Sequence, residues 1–383
     1  MTKNLKIAVL SGKRGGYGAM KHLLECISSD SQTDLQLILT DQHLDSRFGN
    51  TMDEVARSFD ISATAALHQV DGSAKERAKA LGRCTSLMAE ILLELSPDVL
   101  VLYGDRGEVL ATALAATTLT IPIAHIQGGD ITGSIDENMR HAITKLSHLH
   151  FPSTPASAER ILGLGEEAWR VHVVGDSHLD CIAAGEYLDQ FEMRELVGLS
   201  DSQPFAVVLQ HPDATEPGRS YDDMKLTLRA ALETELELVV VYPCSDPGFE
   251  GVIAAINEFA ESPKVRVFKN LDAEVFWSML AHARFLIGNS SAGIIESPSF
   301  RLPVINVGNR QLGRLTAENV IHVRPDIHEL RAAISRVRFD NQFAAIVANC
   351  SQPYGDGSSG RRIFSIICQN SDRRRLLSKR MAY

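Results

Sequence analysis

Nothing in the sequence pairs its cysteines. The six of them, Cys26, Cys84, Cys181, Cys244, Cys350 and Cys368, are scattered, and no two form a C-x-x-C pair. This argues against a zinc site or a disulfide framework and for reduced thiols in a core. Long apolar runs are missing too, since none approaches the roughly 20 residues of a membrane span. The opening MTKNLKIAVL passes directly into an apolar strand pattern, without a long apolar segment or a small-residue cleavage site, so a cytoplasmic protein is expected. Positive charge is in deficit: 38 Lys and Arg against 48 Asp and Glu give a formal net charge of −10. That sign argues against nucleic-acid binding, although a local arginine cluster can still hold a small anion. Low-complexity tracts and short-period repeats are also absent.

What is there reads as an ordinary globular protein, 44% hydrophobic and 22% charged over 383 residues. That length exceeds a single core, and two domains are expected. Apolar runs alternate with helical patterns from the start. LKIAVL (5–10), LQLILT (35–40), DVLVLYG (98–104), IPIAHI (121–126), LHF and VHVVG (171–175) read as strands. Between them Ser73 to Leu95, Val109 to Thr118 and Asn138 to Leu146 read as helices. After a charged helical stretch the pattern restarts with FAVVLQ (205–210), LELVVVY (236–242), VRVFK (265–269), FLIG (285–288) and PVINV (303–307). Continuous apolar strands separated by helices predict parallel sheets covered on both faces. The class is therefore α/β, with a first Rossmann-like domain over 1–190 and a second over 191–358. A C-terminal helix, 359–383, is expected to return to the first domain.

Doubly wound domains bind ligands beyond the carboxyl ends of their strands, so the residues after each strand carry the interest. SGKRGGYG (11–18) follows the first, with glycines for close backbone approach and Arg14 as a cation, or simply a tight turn. GDRGE (104–108) puts Asp105 and Arg106 at the third strand end, where Asp105 is either a proton acceptor or a helix cap. The densest polar cluster, HIQGGDITGSIDENMRHAITK (125–145), brings Gln127, Asp130, Asp136, Glu137 and Arg140 into one loop and helix start. Arg140 is placed to pair with Asp136 or Glu137 across one turn. In the second half, QHP sets His211 at a strand end, and VYPCSDPG (241–248) has room for a nucleoside.

FLIGNSSAGIIESPSFRLPVINVGNRQLGR (285–314) is the most informative stretch. A strand stops at Gly288, small polar residues follow, and a short helix is expected with Glu296 near its start and Pro298 limiting it. Free N–H groups, the helix dipole, Ser290 and Ser291 would seat a phosphate, with Arg310 adding charge and Glu296 accepting from a sugar hydroxyl. An ordinary strand-to-helix turn with capping serines has the same composition.

In order along the chain, the arginine-bearing first loop, GDR, HI-x-GG, IDENMRHAITKLSHLH, QHP, GNSSAGIIE, INVGNRQLGR and YGDG resemble the hydrolysing branch of the UDP-N-acetylglucosamine 2-epimerase family. That branch makes N-acetylmannosamine-type sugars for sialic or legionaminic acid. The resemblance spans nearly the whole chain. It implies a GT-B-like fold of two Rossmann-type domains facing across a cleft, a nucleoside-diphosphate sugar as substrate, no redox cofactor or metal, and a homodimer or homotetramer. It further implies that Arg14, Arg106, His211, Ser290, Ser291, Glu296 and Arg310 hold the substrate. Asp105, residue 127, Asp130 and Asp136 would face the sugar. A base would remove the C2 proton as the nucleoside diphosphate leaves, giving a 2-acetamidoglycal that water converts to the free epimerised sugar.

The sequence departs from the family pattern at three positions. Gly16 stands where the usual R-A-D-Y loop has a carboxylate, Gln127 where Glu or His is usual, and Asp130 where Glu is usual. An amide cannot exchange a proton near neutral pH. A nucleotide-sugar hydrolase without C2 epimerisation is therefore a second expectation. A GT-B glycosyltransferase and a non-catalytic nucleotide-sugar binder stand further off.

Overall fold

Strands buried on both faces read as unbroken apolar runs, and these runs build the protein. The computed structural model describes residues 4–46, 51–68, 74–131, 135–201, 203–213, 215–244 and 246–383. Ser73, the expected start of a helix, residues 132–134 of the polar loop and Ser245 lie outside them.

The chain divides into two compact units, Met1–Cys181 with Tyr354–Tyr383, and Ile182–Pro353. In the first, β1 (Leu5–Ser11), β2 (Thr33–Thr40), β3 (Ile61–Ala65), β4 (Val99–Tyr103), β5 (Ile123–Ile126) and β6 (Leu149–Phe151) form one sheet in the order β3-β2-β1-β4-β5-β6. Every pairing is parallel. One face carries the core of Ile7, Val9, Leu24, Val101 and Phe151, the other that of Ala8, Leu10, Met88, Leu100 and Ile123. VHVVG, read as a strand, is an extended segment joined to the sheet by a single bridge, His150 to Val171. The helix Ser359–Gln369 packs on Arg14–Ser29 so closely that a β-carbon at Gly360 would lie 2.7 Å from the Leu23 nitrogen.

The second unit repeats the plan. Its strands are β7 (Phe205–Leu209), β8 (Glu237–Val241), β9 (Val265–Phe268), β10 (Leu286–Gly288), β11 (Val304–Val307) and β12 (Val320–Val323), ordered β12-β11-β10-β7-β8-β9 and again parallel. The direction of winding reverses between β1 and β4 in one sheet and between β7 and β10 in the other. Those reversals open a crevice beyond the carboxyl ends of the paired strands, the place where open α/β sheets take ligands. Among the described residues no helix is long and apolar enough to cross a membrane.

Candidate functional site

In the first unit the crevice falls between Gly12, after β1, and Asp105, after β4. Gly104 turns the chain there with φ +81°, and the buried His125 donates Nε2–H to its carbonyl at 2.7 Å. Burial drives the His125 pKa down to about 3, so this ring is a neutral strut. Asp105 meets the guanidinium of Arg140, which also donates to the Asp130 carbonyl at 2.8 Å. Arg140 therefore ties the β4 and β5 loops together, and it is His141 that pairs with Glu137, at 3.8 Å. Asp130 is buried, and its Oδ1 accepts from Ser157 Oγ at 2.6 Å. Asp136 stands exposed in the first turn of the helix Ile135–Leu146.

Arg106 lies 3.3 Å from Glu108 and 3.8 Å from Asp41, and these carboxylates, with Asp136 and Asp105 beyond them, raise its already high pKa. Asp41 follows β2 in a left-handed conformation, φ 48°, and burial together with Glu108 pushes its pKa up to about 6. Glu108 fills the space over Gly12, where a β-carbon would come within 2.6 Å of its Oε1. The expected glycine loop is shorter than its sequence suggests, because the helix Arg14–Ser29 begins inside it and places Gly15 and Gly16 in the first turn. Arg14 pairs with Glu54 at 2.8 Å. Gln127 adopts φ 66° and donates its amide to Asp176 at 2.9 Å.

In the second unit four neighbouring strands, β11, β10, β7 and β8, send their carboxyl ends to one spot. His211 follows β7, and its Nδ1 accepts from the Cys244 backbone N–H at 2.9 Å. Gly288 has φ 141° and lies against the Leu209 carbonyl, leaving no space for a side chain. The next residue, Asn289, is clamped through its carbonyl by Gln311 at 2.8 Å and by Arg310 at 3.3 Å. Arg310 also reaches Asp246 at 3.4 Å. Burial works to raise Asp246, but the Cys244 thiol, Arg310 and His211 outweigh it and keep the pKa low. Ser290 is buried, with its Oγ 3.3 Å from the Ala292 nitrogen. The helix beyond is a single turn, Ala292–Ile295, and Glu296 closes it instead of standing near its start. His211, Ser290, Ser291 and Arg310 thus share one strand-end region, with Glu296 one helical turn away.

Asp41, Glu108, Asp176 and His178 are polar groups of the first site that motif spacing does not reveal. Asp41 and Asp176 each follow an apolar run, and position is the only signal they give in the sequence.

The family model for UDP-N-acetylglucosamine 2-epimerase matches residues 25–368. A UDP-N,N'-diacetylbacillosamine 2-epimerase (hydrolyzing) of Legionella pneumophila is 34% identical over 383 residues, 99% of each chain. A GDP/UDP-N,N'-diacetylbacillosamine 2-epimerase (hydrolyzing) of Campylobacter jejuni is 31% identical over 339 residues, 87% of each. The crystal structure of UDP-GlcNAc 2-epimerase from Neisseria meningitidis bound to UDP-GlcNAc superposes with a TM-score of 0.83 at 18% identity, covering 96% of this chain and all of that one, so the GT-B-like pair of Rossmann-type domains is shared. With a family model over most of its length and a full-length relative above 30% identity, the chain belongs to the UDP-N-acetylglucosamine 2-epimerase family.

Proposed function

We propose that the protein is a hydrolysing 2-epimerase for a nucleoside-diphosphate 2-acetamido sugar, releasing the nucleoside diphosphate and a mannosamine-type sugar through a 2-acetamidoglycal. The end-to-end relationship to the Legionella pneumophila enzyme carries this reading, and its name makes a UDP-linked 2,4-diacetamido sugar the first candidate beside UDP-GlcNAc. In this reading the second unit takes the nucleotide, with His211, Ser290, Ser291 and Arg310 on the diphosphate and Glu296 on the ribose. Arg14 and Arg106 add positive charge from the first unit, where charge develops on the leaving group. Asp105 and Asp136 face the sugar and exchange protons with it, Gln127 lines the same end, and Asp130 holds the loop. The same reading takes the enzyme to be cytoplasmic, homo-oligomeric and part of a route to sialic- or legionaminic-type acids.

Incubation with UDP-GlcNAc and UDP-N,N'-diacetylbacillosamine in deuterated water tests it. The expected products are UDP and a free sugar of inverted C2 configuration carrying one deuterium at C2. The amide at Gln127 and the missing carboxylate at Gly16 favour a second reading, cleavage without epimerisation, whose released sugar keeps its C2 hydrogen. No nucleoside diphosphate from any donor of this class, GDP-linked ones included, would overturn both.

A further inference from the structure

Gln127 follows β5 at a position that faces the sugar in the reading above, and its amide cannot move a proton. What the amide does is hold a carboxylate. Its Nε2 donates to Asp176 Oδ2 at 2.9 Å, and Ser153 Oγ donates to the same oxygen at 3.3 Å. The other oxygen, Oδ1, accepts from the backbone N–H of His178 at 3.0 Å and meets its ring Nδ1 at 2.9 Å. Asp176 is 1% exposed. Burial alone would raise its pKa, but the hydrogen bonds and charge of His178, with help from Gln127, outweigh burial and keep it low. A turn-starting aspartate needs only the backbone contact; the ring and Gln127 contacts exceed that demand.

A buried carboxylate on Nδ1 fixes the tautomer that leaves Nε2 basic, and it stabilises the imidazolium once that forms. The His178 side chain is 24% exposed. Its ring stands edge-on to Tyr103, with centroids 5.8 Å apart, and Tyr103 ends β4 two residues before Asp105. Gly16 borders the same tyrosine, since a β-carbon there would lie 3.6 Å from Tyr103 Cδ1. The two positions without a titratable side chain, 16 and 127, therefore both adjoin the surroundings of one imidazole–carboxylate pair.

We propose that His178 is the base that removes the C2 proton at this site, positioned by Asp176 and Gln127, in place of a titratable side chain at 127. The inference rests on the epimerase reading. Nε2 takes the C2 proton, the C–H electron pair becomes the C1=C2 bond, and the C1–O bond breaks with its electrons leaving on the nucleoside diphosphate. Water then adds its hydroxyl to C1 while Asp105, a carboxylate against Arg140, takes the water proton and delivers it to C2 on the other face. Asp105 is thereby restored as a carboxylate, and His178 releases its proton to solvent. The sum consumes one water and yields free sugar, nucleoside diphosphate and one proton.

The variant His178→Asn keeps an amide donor toward Asp176 and removes the titrating ring. For the wild type, release of UDP and deuterium at C2 are expected. For the variant, kcat should fall roughly 10²–10⁴-fold with KM held within about 3-fold, and the acid limb of the pH profile should vanish. His178→Gly should recover activity when imidazole is added. A His178→Asn enzyme that keeps more than about a third of kcat with an unchanged pH profile overturns the inference, as does a folded His178→Gly enzyme that imidazole does not rescue. Should both variants unfold, the wild-type kcat/KM profile decides: an acid limb in the histidine range supports the inference, and a flat profile from about pH 5 to 8 refutes it. A wild type that releases no nucleoside diphosphate overturns the epimerase reading itself and this inference with it, so the two failures are distinct.

Discussion

Asn289 holds the backbone of His211 from both sides, its Oδ1 accepting from the His211 N–H at 2.7 Å and its Nδ2 donating to the His211 carbonyl at 2.9 Å. One buried amide thus fixes the loops after β7 and β10 relative to each other. Asn289→Ala strips partners from two backbone groups and should cost about 2–4 kcal/mol in urea unfolding. Where the variant stays folded, KM for the nucleotide sugar should rise more than kcat falls, because the displaced residues are those assigned to the diphosphate. Asn289→Asp keeps the acceptor and loses the donor, and should fall between the two.

The buried histidines make the fold sensitive to acid. Burial lowers the pKa of His43 and His148 to about 4 and that of His125 to about 3. Each ring stays neutral in the fold at a pH where the unfolded chain, near 6.5, binds a proton. Their stabilisation is whole above about pH 6.5 and is lost progressively as the pH falls through the folded values. The melting temperature should accordingly drop between pH 6.5 and 4. A pH-independent value over that range would contradict the neutral, buried state of these rings.

Asp41 runs in the opposite sense. Its pKa is raised from 3.8 to about 6, so its contribution is present below 3.8 and is lost as the pH rises through about 6. Asp41→Gly removes that ionisation and the cost of a non-glycine residue at φ 48°. It should stabilise by about 1–2 kcal/mol at pH 8 and by less at pH 4.5. Paired melting curves at the two pH values check both the sign and the difference.

The C-terminal segment is held by charge as well as by packing. Glu166, fully buried, meets Lys145 at 2.6 Å, Lys379 at 2.7 Å and His150 at 3.0 Å. Lys379 also donates to the Ser147 carbonyl at 2.6 Å. Glu166→Gln leaves the lysines without their shared anion and should cost about 3–5 kcal/mol, while the more accessible Lys379→Met should cost less. Limited proteolysis would read out the release of the tail in each case. Equal resistance to cleavage in both variants and the wild type would speak against this anchoring.

The central strands were legible because they are buried on both faces. FAVVL, VLVLY and LKIAVL carry unbroken apolar runs, and their alternation with helices implies parallel sheets. The edges were not. ISATA and VIHV, at β3 and β12, are half-exposed, so nothing requires a continuous apolar run. VHVVG shows the converse, an apolar run with one bridge partner. The motif-bearing site residues, Asp105, His211, Ser290 and Arg310, stand at strand ends as their spacing implies. Arg140 reads differently, since helical spacing points it at Asp136 or Glu137 while its length carries it to Asp105 and the Asp130 carbonyl. His178 has no motif around it, and only its contacts with Asp176 and Tyr103 single it out.

That reach gives Arg140 its own test. Arg140 is 3% exposed, and its guanidinium serves two loops at once through separate nitrogens, Nη1 to the Asp130 carbonyl and Nη2 to Asp105. Lysine keeps the charge but offers a single ammonium on a flexible stem, so it cannot hold both in one fixed geometry. If Asp105 exchanges a proton with the sugar, a misplacement of about 1 Å costs on the order of 10²-fold. Arg140→Lys should therefore lower kcat by about that factor and leave KM nearly unchanged, because the groups assigned to the diphosphate are untouched. Deuterium incorporation at C2 would separate the outcomes. A slowed enzyme that still labels C2 fully has lost only the placement of Asp105, whereas full-speed turnover would remove Asp105 from the proton-transfer step.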